Sequence, residues 1–288
     1  MIRAALAIAA SCFLVAPAGW AQTVVLSGKP GPTNGLERAE TTTIELKDGK
    51  MTLSILNQSI QGAANALLRD KITRTFKSAD EQEIEFHECT RSILFSLGSV
   101  AGDPKLAGGQ LAGKKLIGRR DDAGWKFKLS KGKPSTAELN AIKQFSAFNL
   151  AVDALQNVYG DEPREVGKAW RPDLSALSRA WPDVSVTIDC RVDEVGERAG
   201  ELCAKITIGG LVAGKFGENN RVDVQFTGSI IRSLRDYVDL ETDLSGSIRF
   251  RGALGKTDEQ GAGNAATIEA PLTLKRTVKV PKRPDAPR

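Results

Sequence analysis

The chain reads as an α+β protein, mostly antiparallel β-sheet with one long helix and one short one. Three observations predict this. Apolar and polar residues alternate over long stretches on both sides of residue 135. The segment 135–159 switches to apolar spacings of three and four. Strand signals and helix signals are segregated rather than interleaved, which favours antiparallel pairing over βαβ units. The expected architecture is one long curved sheet, or two sheets, packed on the long central helix.

The first element is not structural. Arg3 precedes an apolar run from Ala4 to Val15, and small residues stand at Gly19 and Ala21, ahead of Gln22. This is the pattern of a signal peptide over residues 1–21. The run falls short of the roughly 20 apolar residues that cross a bilayer. The expected product is exported, to the periplasm or cell exterior, with no transmembrane anchor after cleavage. Residues 22–39, rich in Gly and Pro, read as a flexible leader.

An N-terminal β region is expected over 40–130. Thr42–Lys47 and the alternation of Met51, Leu53 and Ile55 predict a hairpin turning at Asp48-Gly49. Lys71–Lys77 and Glu83–Leu97 predict two further strands. In the second, Ile84 and Phe86 fall on one face while Ile93, Phe95 and Leu97 fall on the other, so a bulge is expected near Cys89–Ser92. Lys115–Arg120 and Gly124–Leu129 predict another hairpin.

Residues 135–182 form the expected helical connector. Ser135 and Glu138 make a capping box. Leu139, Ile142, Phe145, Phe148, Val152, Leu155 and Tyr159 then recur at helical spacing, and Gly160 closes the helix. In the stretch EVGKAWRPDLSALSRAW, Pro172 suits a first helical turn and Leu174, Leu177 and Trp181 follow on one face. A C-terminal antiparallel β region is expected over 183–280, starting with alternation at Val184–Val192 and Leu202–Ile208. Residues 281–288, PKRPDAPR, read as a disordered basic tail.

Composition excludes several functions. The formal charge of +5 is spread along the chain, without the basic stripe and interleaved aromatics of a nucleic-acid binder. No phosphate loop, dinucleotide fingerprint or zinc-protease helix is present, and no cofactor is implied. The single histidine, His87, two residues from Cys89, is no metal site. Asp239, Glu241 and Asp243 alternate and read as a solvated strand face. No catalytic residue emerges, so a non-enzymatic protein is expected, with a hydrolase as a distant alternative.

Cys190 and Cys203 are the candidate disulfide. Their closeness in sequence favours pairing, whereas strand parity puts them on opposite faces.

Glu165-Val-Gly-Lys-Ala-Trp170 resembles a V-G-x-x-W element of uncharacterised exported bacterial β-rich proteins. Tyr237–Gly246 resembles a second element of secreted long-sheet proteins, including lipoprotein-carrier-type half-barrels, with Asp243 where a turn glycine is usual. The resemblance covers the C-terminal half and implies architecture and export, with no catalytic residues.

The expected function is a binding or structural module of the envelope or exterior, its partner an envelope protein or an apolar ligand. In the carrier form of this reading, a lipid-like molecule occupies a cavity between sheet and helix. Phe145, Phe148, Val152, Leu155, Trp170 and Trp181 are the residues expected to line it.

Overall fold

In the computed structural model, the described residues are 22–26, 35–55, 58–97, 108–121, 124–156, 158–175, 183–215, 220–254 and 264–281. Thirteen strands and one helix are described. They are β1 (Thr23–Val25), β2 (Glu37–Ile55), β3 (Gln58–Phe76), β4 (Glu81–Leu97), β5 (Lys115–Asp121) and β6 (Gly124–Leu129), then α1 (Thr136–Gln156). After it come β7 (Pro163–Glu165), β8 (Ala169–Trp170), β9 (Val184–Arg198), β10 (Glu201–Lys215), β11 (Arg221–Ser233), β12 (Asp239–Leu254) and β13 (Asn264–Lys279).

Eleven strands form one antiparallel sheet in the order β6-β5-β4-β3-β2-β13-β12-β11-β10-β9-β8, and β1 pairs separately with β7. Strand β13 lies against β2, so both expected β regions join one sheet. Each hairpin supplies the neighbour of the next, which is why consecutive strands lie side by side almost throughout.

The fold is mostly β, and the α+β expectation with a central helix is corrected. Helix α1 is one element of 21 residues set against eleven strands. It packs on β6 and on the start of β4, at one end of the sheet. Its N-terminus has the expected capping box: the Ser135 N–H donates to Glu138 Oε2 at 2.8 Å, and the Glu138 N–H to Ser135 Oγ at 3.2 Å. The second helix, expected to run to Trp181, lies outside the described residues beyond Ser175. So do residues 1–21, expected to be a signal peptide, and residues 282–288 of the expected tail.

Asp48-Gly49 is not a turn. Strand β2 runs straight through it, and the register shifts between Leu46 and Gly49. Asp48 adopts a left-handed φ of 53°, and its N–H donates to Asn65 Oδ1 at 2.7 Å. The residues that signal a turn here make a bulge, because the partner strand Gln58–Phe76 is long enough to pair on both sides of it. The β4 bulge is present, but at His87: Lys71 faces Glu88 and Ile72 faces Phe86. Thr23–Val25, expected in the flexible leader, forms β1.

Two glycines let neighbouring strands pack closely. A Cβ at Gly228 would run into the Asp243 carbonyl oxygen, and one at Gly246 into that of Gln225. Strands β11 and β12 therefore approach closely on this side only because both positions lack a side chain.

Candidate functional site

Cross-strand partners point to the same face of a sheet, so register assigns a face to every residue. One row runs across eight strands as Cys190, Ile208, Gly228, Leu244, Leu274, Ile44, Leu68 and Arg91. The next row on that face is Ile188, Gly210, Phe226, Gly246, Leu272, Leu46, Ala66 and Ile93. A row on the opposite face reads Arg191, Thr207, Ser229, Asp243, Lys275, Thr43, Arg69 and Thr90. The sheet thus carries one broad apolar face and one polar face.

The apolar face is covered at its two ends by different devices. At the β6 end, Ile142 and Phe145 of α1 pack on Ile72, Ile84, Phe86, Cys89, Leu111 and Leu116. Phe145 meets Phe86 and Phe127 edge-on, with ring centroids 5.0 and 5.1 Å apart. At the β8 end, Leu26, Val158 and Tyr159 pack on Ile188, Cys190, Val192, Ile206, Ile208 and Ile230.

The V-G-x-x-W element builds this second cover. Val166-Gly167 turns the chain between β7 and β8, with Gly167 at a φ of 86° and its N–H donating to the Val192 carbonyl at 2.7 Å. The turn sets Trp170 opposite Cys190. The indole N–H donates to the Val158 carbonyl at 3.0 Å, and the Arg164 guanidinium stacks 5.1 Å from the ring. Arg232 lies 3.9 Å from the Tyr159 ring centroid and donates Nε–H to the Leu26 carbonyl at 3.0 Å.

Between the covers, Ile44, Leu46, Leu68, Val224, Leu244, Ile248, Leu272 and Leu274 remain only half-buried. Towards the strand end of β4, Ile93 and Phe95 are 64% and 54% exposed. A cleft of about 90 Å³ opens beside the helix, lined by Thr42, Ile44, Leu68, Asp70, Arg91, Gln144 and Phe145. Its charges are paired: Arg91 grips Asp70 bidentately, at 2.7 and 2.8 Å. Phe226 covers Gly210 across the strand pair, and a Cβ there would come within 2.9 Å of the ring.

One end of the same face is polar and buried. Arg74 donates to Glu40 at 2.8 Å and to Gln82 Oε1 at 2.6 Å, and Arg276 donates to the other Glu40 oxygen at 3.0 Å. Burial pushes the Glu40 carboxyl up, but the Arg74 and Arg276 guanidiniums outweigh it and hold the group down at about 2. Further along, Arg232 pairs with Asp239 at 2.5 Å.

Of the residues expected to line a cavity, Phe145 belongs to the helix-side cluster and Trp170 packs against the other. The strand order separates them, with Phe145 against β4 and β6 and Trp170 on β8. The side chains of Phe148, Val152 and Leu155, and all of Trp181, lie outside the described residues.

Cys190 faces Ile208 on the apolar side, whereas Cys203 faces Gly196 and Ser233 on the other, and both thiols are free and buried, like Cys89. Burial, helped by Asp189, pushes the Cys190 thiol up to about 12. His87 is exposed, its Nε2 2.8 Å from Thr73 Oγ1. The three alternating carboxylates split. Glu241 and Asp243 face the polar side, while a register shift turns Asp239 to the apolar side and Arg232.

Sequence reasoning missed β3 upstream of Lys71 and, with it, the middle of the apolar face. Its signal was the apolar Ala63–Leu68 run of β3. It also missed the Arg38–Glu40–Arg74–Arg276 cluster, in which Glu40 and Arg276 are 236 residues apart in sequence.

The fold and site define a β protein built on one large antiparallel sheet, with an apolar face capped at both ends. No protein-family model matches the chain, and neither does any curated protein. Among solved structures, lipovitellin, in a study of its lipid–protein interactions, aligns at 11% identity over 91% of this chain, with a TM-score of 0.43. This chain spans 26% of the lipovitellin chain's length. OccK11 (OpdR) of Pseudomonas aeruginosa aligns at 9% identity over 88% of this chain and 99% of its own, with a TM-score of 0.15. Both likenesses are too weak to carry a function across.

Proposed function

We propose that this protein is an exported, non-enzymatic carrier that holds a molecule with long hydrocarbon chains on the apolar face of its sheet. One observation carries the reading: the apolar rows continue across eight strands, while the covers sit at the ends and the middle stays half-buried. A solvated apolar surface costs about 25 cal/mol per Å² relative to its buried form. Large contiguous patches of this kind mark binding surfaces in soluble proteins. In this reading the ligand lies on the open sheet between α1 and the Trp170 cover, in place of the expected sheet–helix cavity.

Strands of 19 residues, as in β2 and β3, span about 60 Å at the usual rise per residue. That length suits an extended chain lying along them. Export is supported by the Arg3 and Ala4–Val15 pattern at the N-terminus.

The test is organic extraction of protein purified from producing cells, followed by lipid mass spectrometry. The expected result is co-purified lipid near molar stoichiometry, and uptake of added lipid by the stripped protein. Absence of both from a folded sample contradicts the proposal.

A further inference from the structure

The apolar face ends in a cluster whose charges do not balance by hydrogen bonding. Arg38, Arg74 and Arg276 bring three guanidiniums to this end of β2, β3 and β13, and Glu40 is the carboxylate that accepts from two of them. Arg38 is 6% exposed and Gln82 fully buried. Arg38 Nε and Nη2 and Gln82 Nε2 are buried with no hydrogen-bond partner. Every one of these orphaned atoms is a donor.

The surroundings do not supply the missing acceptor. The Phe76 ring lies 4.8 Å from the Arg38 guanidinium and offers only its π face. Asp236 attracts Arg38 through space, but its carboxylate accepts from Arg235 at 3.2 Å. Burial, only partly offset by Glu40, pulls Arg38 down to about 10. Leaving a buried charged donor unmatched is costly, and proteins ordinarily pair it.

The cluster also adjoins the apolar trough. Arg276 is the register partner of Thr42, which lines the cleft beside Ile44 and Leu68. Arg38 lies four residues further along β2, about 13 Å away.

We propose that Arg38 and Gln82 form an anion site for a carboxylate or phosphate oxygen group, the headgroup of the same molecule whose chains lie on the apolar face. This rests on the carrier reading above. A guanidinium fork suits either group by bidentate donation, and Gln82 Nε2 adds a third donor. Glu40 keeps Arg74 and Arg276 occupied, leaving Arg38 as the free fork.

The experiment compares two fluorescent probes of one chain, cis-parinaric acid and cis-parinaryl alcohol, at pH 8. Wild-type protein is expected to bind the acid about tenfold more tightly or better. Arg38→Met should bind both equally, at the affinity wild type shows for the alcohol. Arg38→Lys keeps the charge without the fork, should retain part of the preference, and carries the test if the Met variant does not fold. Equal binding of acid and alcohol by wild type overturns the anion site and leaves the carrier reading standing. Failure of the folded protein to bind either probe overturns both. A third arm adds inorganic phosphate alone. If phosphate raises the melting temperature of wild type but not of Arg38→Met, while acid and alcohol bind equally, the site takes a free anion and the headgroup assignment is overturned.

Discussion

Arg74 and Glu40 form a buried ion pair between β3 and β2, with Nε donating to Oε1 at 2.8 Å. The folded carboxyl is held at about 2 against an ordinary 4.5. A depressed carboxyl stabilises the fold fully above about pH 4.5, and that contribution is lost as pH falls towards 2. Thermal melts across this window should show a steep fall for wild type and a shallower one for Glu40→Gln. Glu138, also held at about 2 by its Ser135 and Lys114 hydrogen bonds, titrates in the same window, so Glu138→Gln is the parallel control. Identical slopes for wild type and Glu40→Gln would remove the pair from the acid response.

Arg38 should behave in the opposite sense. Its orphaned donors burden the ligand-free fold, so Arg38→Met is expected to stabilise that state by about 1–3 kcal/mol in urea unfolding. A loss of stability would mean that the guanidinium is satisfied in the free protein. Residues kept for binding often carry such a stability cost.

Cys89, Cys190 and Cys203 are buried, and burial raises all three thiols. Native protein should therefore react slowly with iodoacetamide at pH 7.5, and all three should label at once in guanidinium. A mass two units short of the fully thiol form, persisting in denaturant without reductant, would reveal a disulfide.

The strand alternation at Val184–Val192 and Ala204–Ile208 reads directly from sequence, because apolar residues there face a covered side, whereas Leu202 at the strand start is exposed. Position 48 does not read so directly. The same Asp-Gly pair serves a turn or a bulge, and what decides is whether β3 pairs on both sides of it, a long-range fact. The central helix failed for a related reason. The 3.6-residue period of 135–159 reports a helix with one buried face, but not how many strands that face meets. Phe145 meets β4 and β6, and eleven strands leave most of the face to something else. The polar cluster was hidden because Arg38, Arg74 and Arg276 each look like an ordinary solvated strand residue until register aligns them.

Gly228 and Gly246 should resist enlargement. An alanine at either meets a backbone carbonyl of the neighbouring strand, which cannot rotate away. Each substitution should destabilise by about 1–3 kcal/mol in urea titrations. An unchanged midpoint would show that β11 and β12 are free to separate.

Leu26 is fully buried, and its carbonyl accepts from Arg232. Leu26→Ala should cost about 2–5 kcal/mol, by the usual cavity reckoning. A negligible cost would mean that the Leu26 side chain adds little to the cover over Tyr159 and Ile206.

The carrier account is tested most directly by titrating the folded protein with cis-parinaric acid, comparing wild type with Leu274→Glu. Leu274 sits mid-sheet, between Leu244 and Ile44, and is half-buried, so a glutamate there can reach water without collapsing a core. The account predicts saturable binding to wild type and at least about tenfold weaker binding to Leu274→Glu, with its melting temperature within a few degrees of wild type. Equal binding by the two folded proteins, or none by wild type, would contradict it.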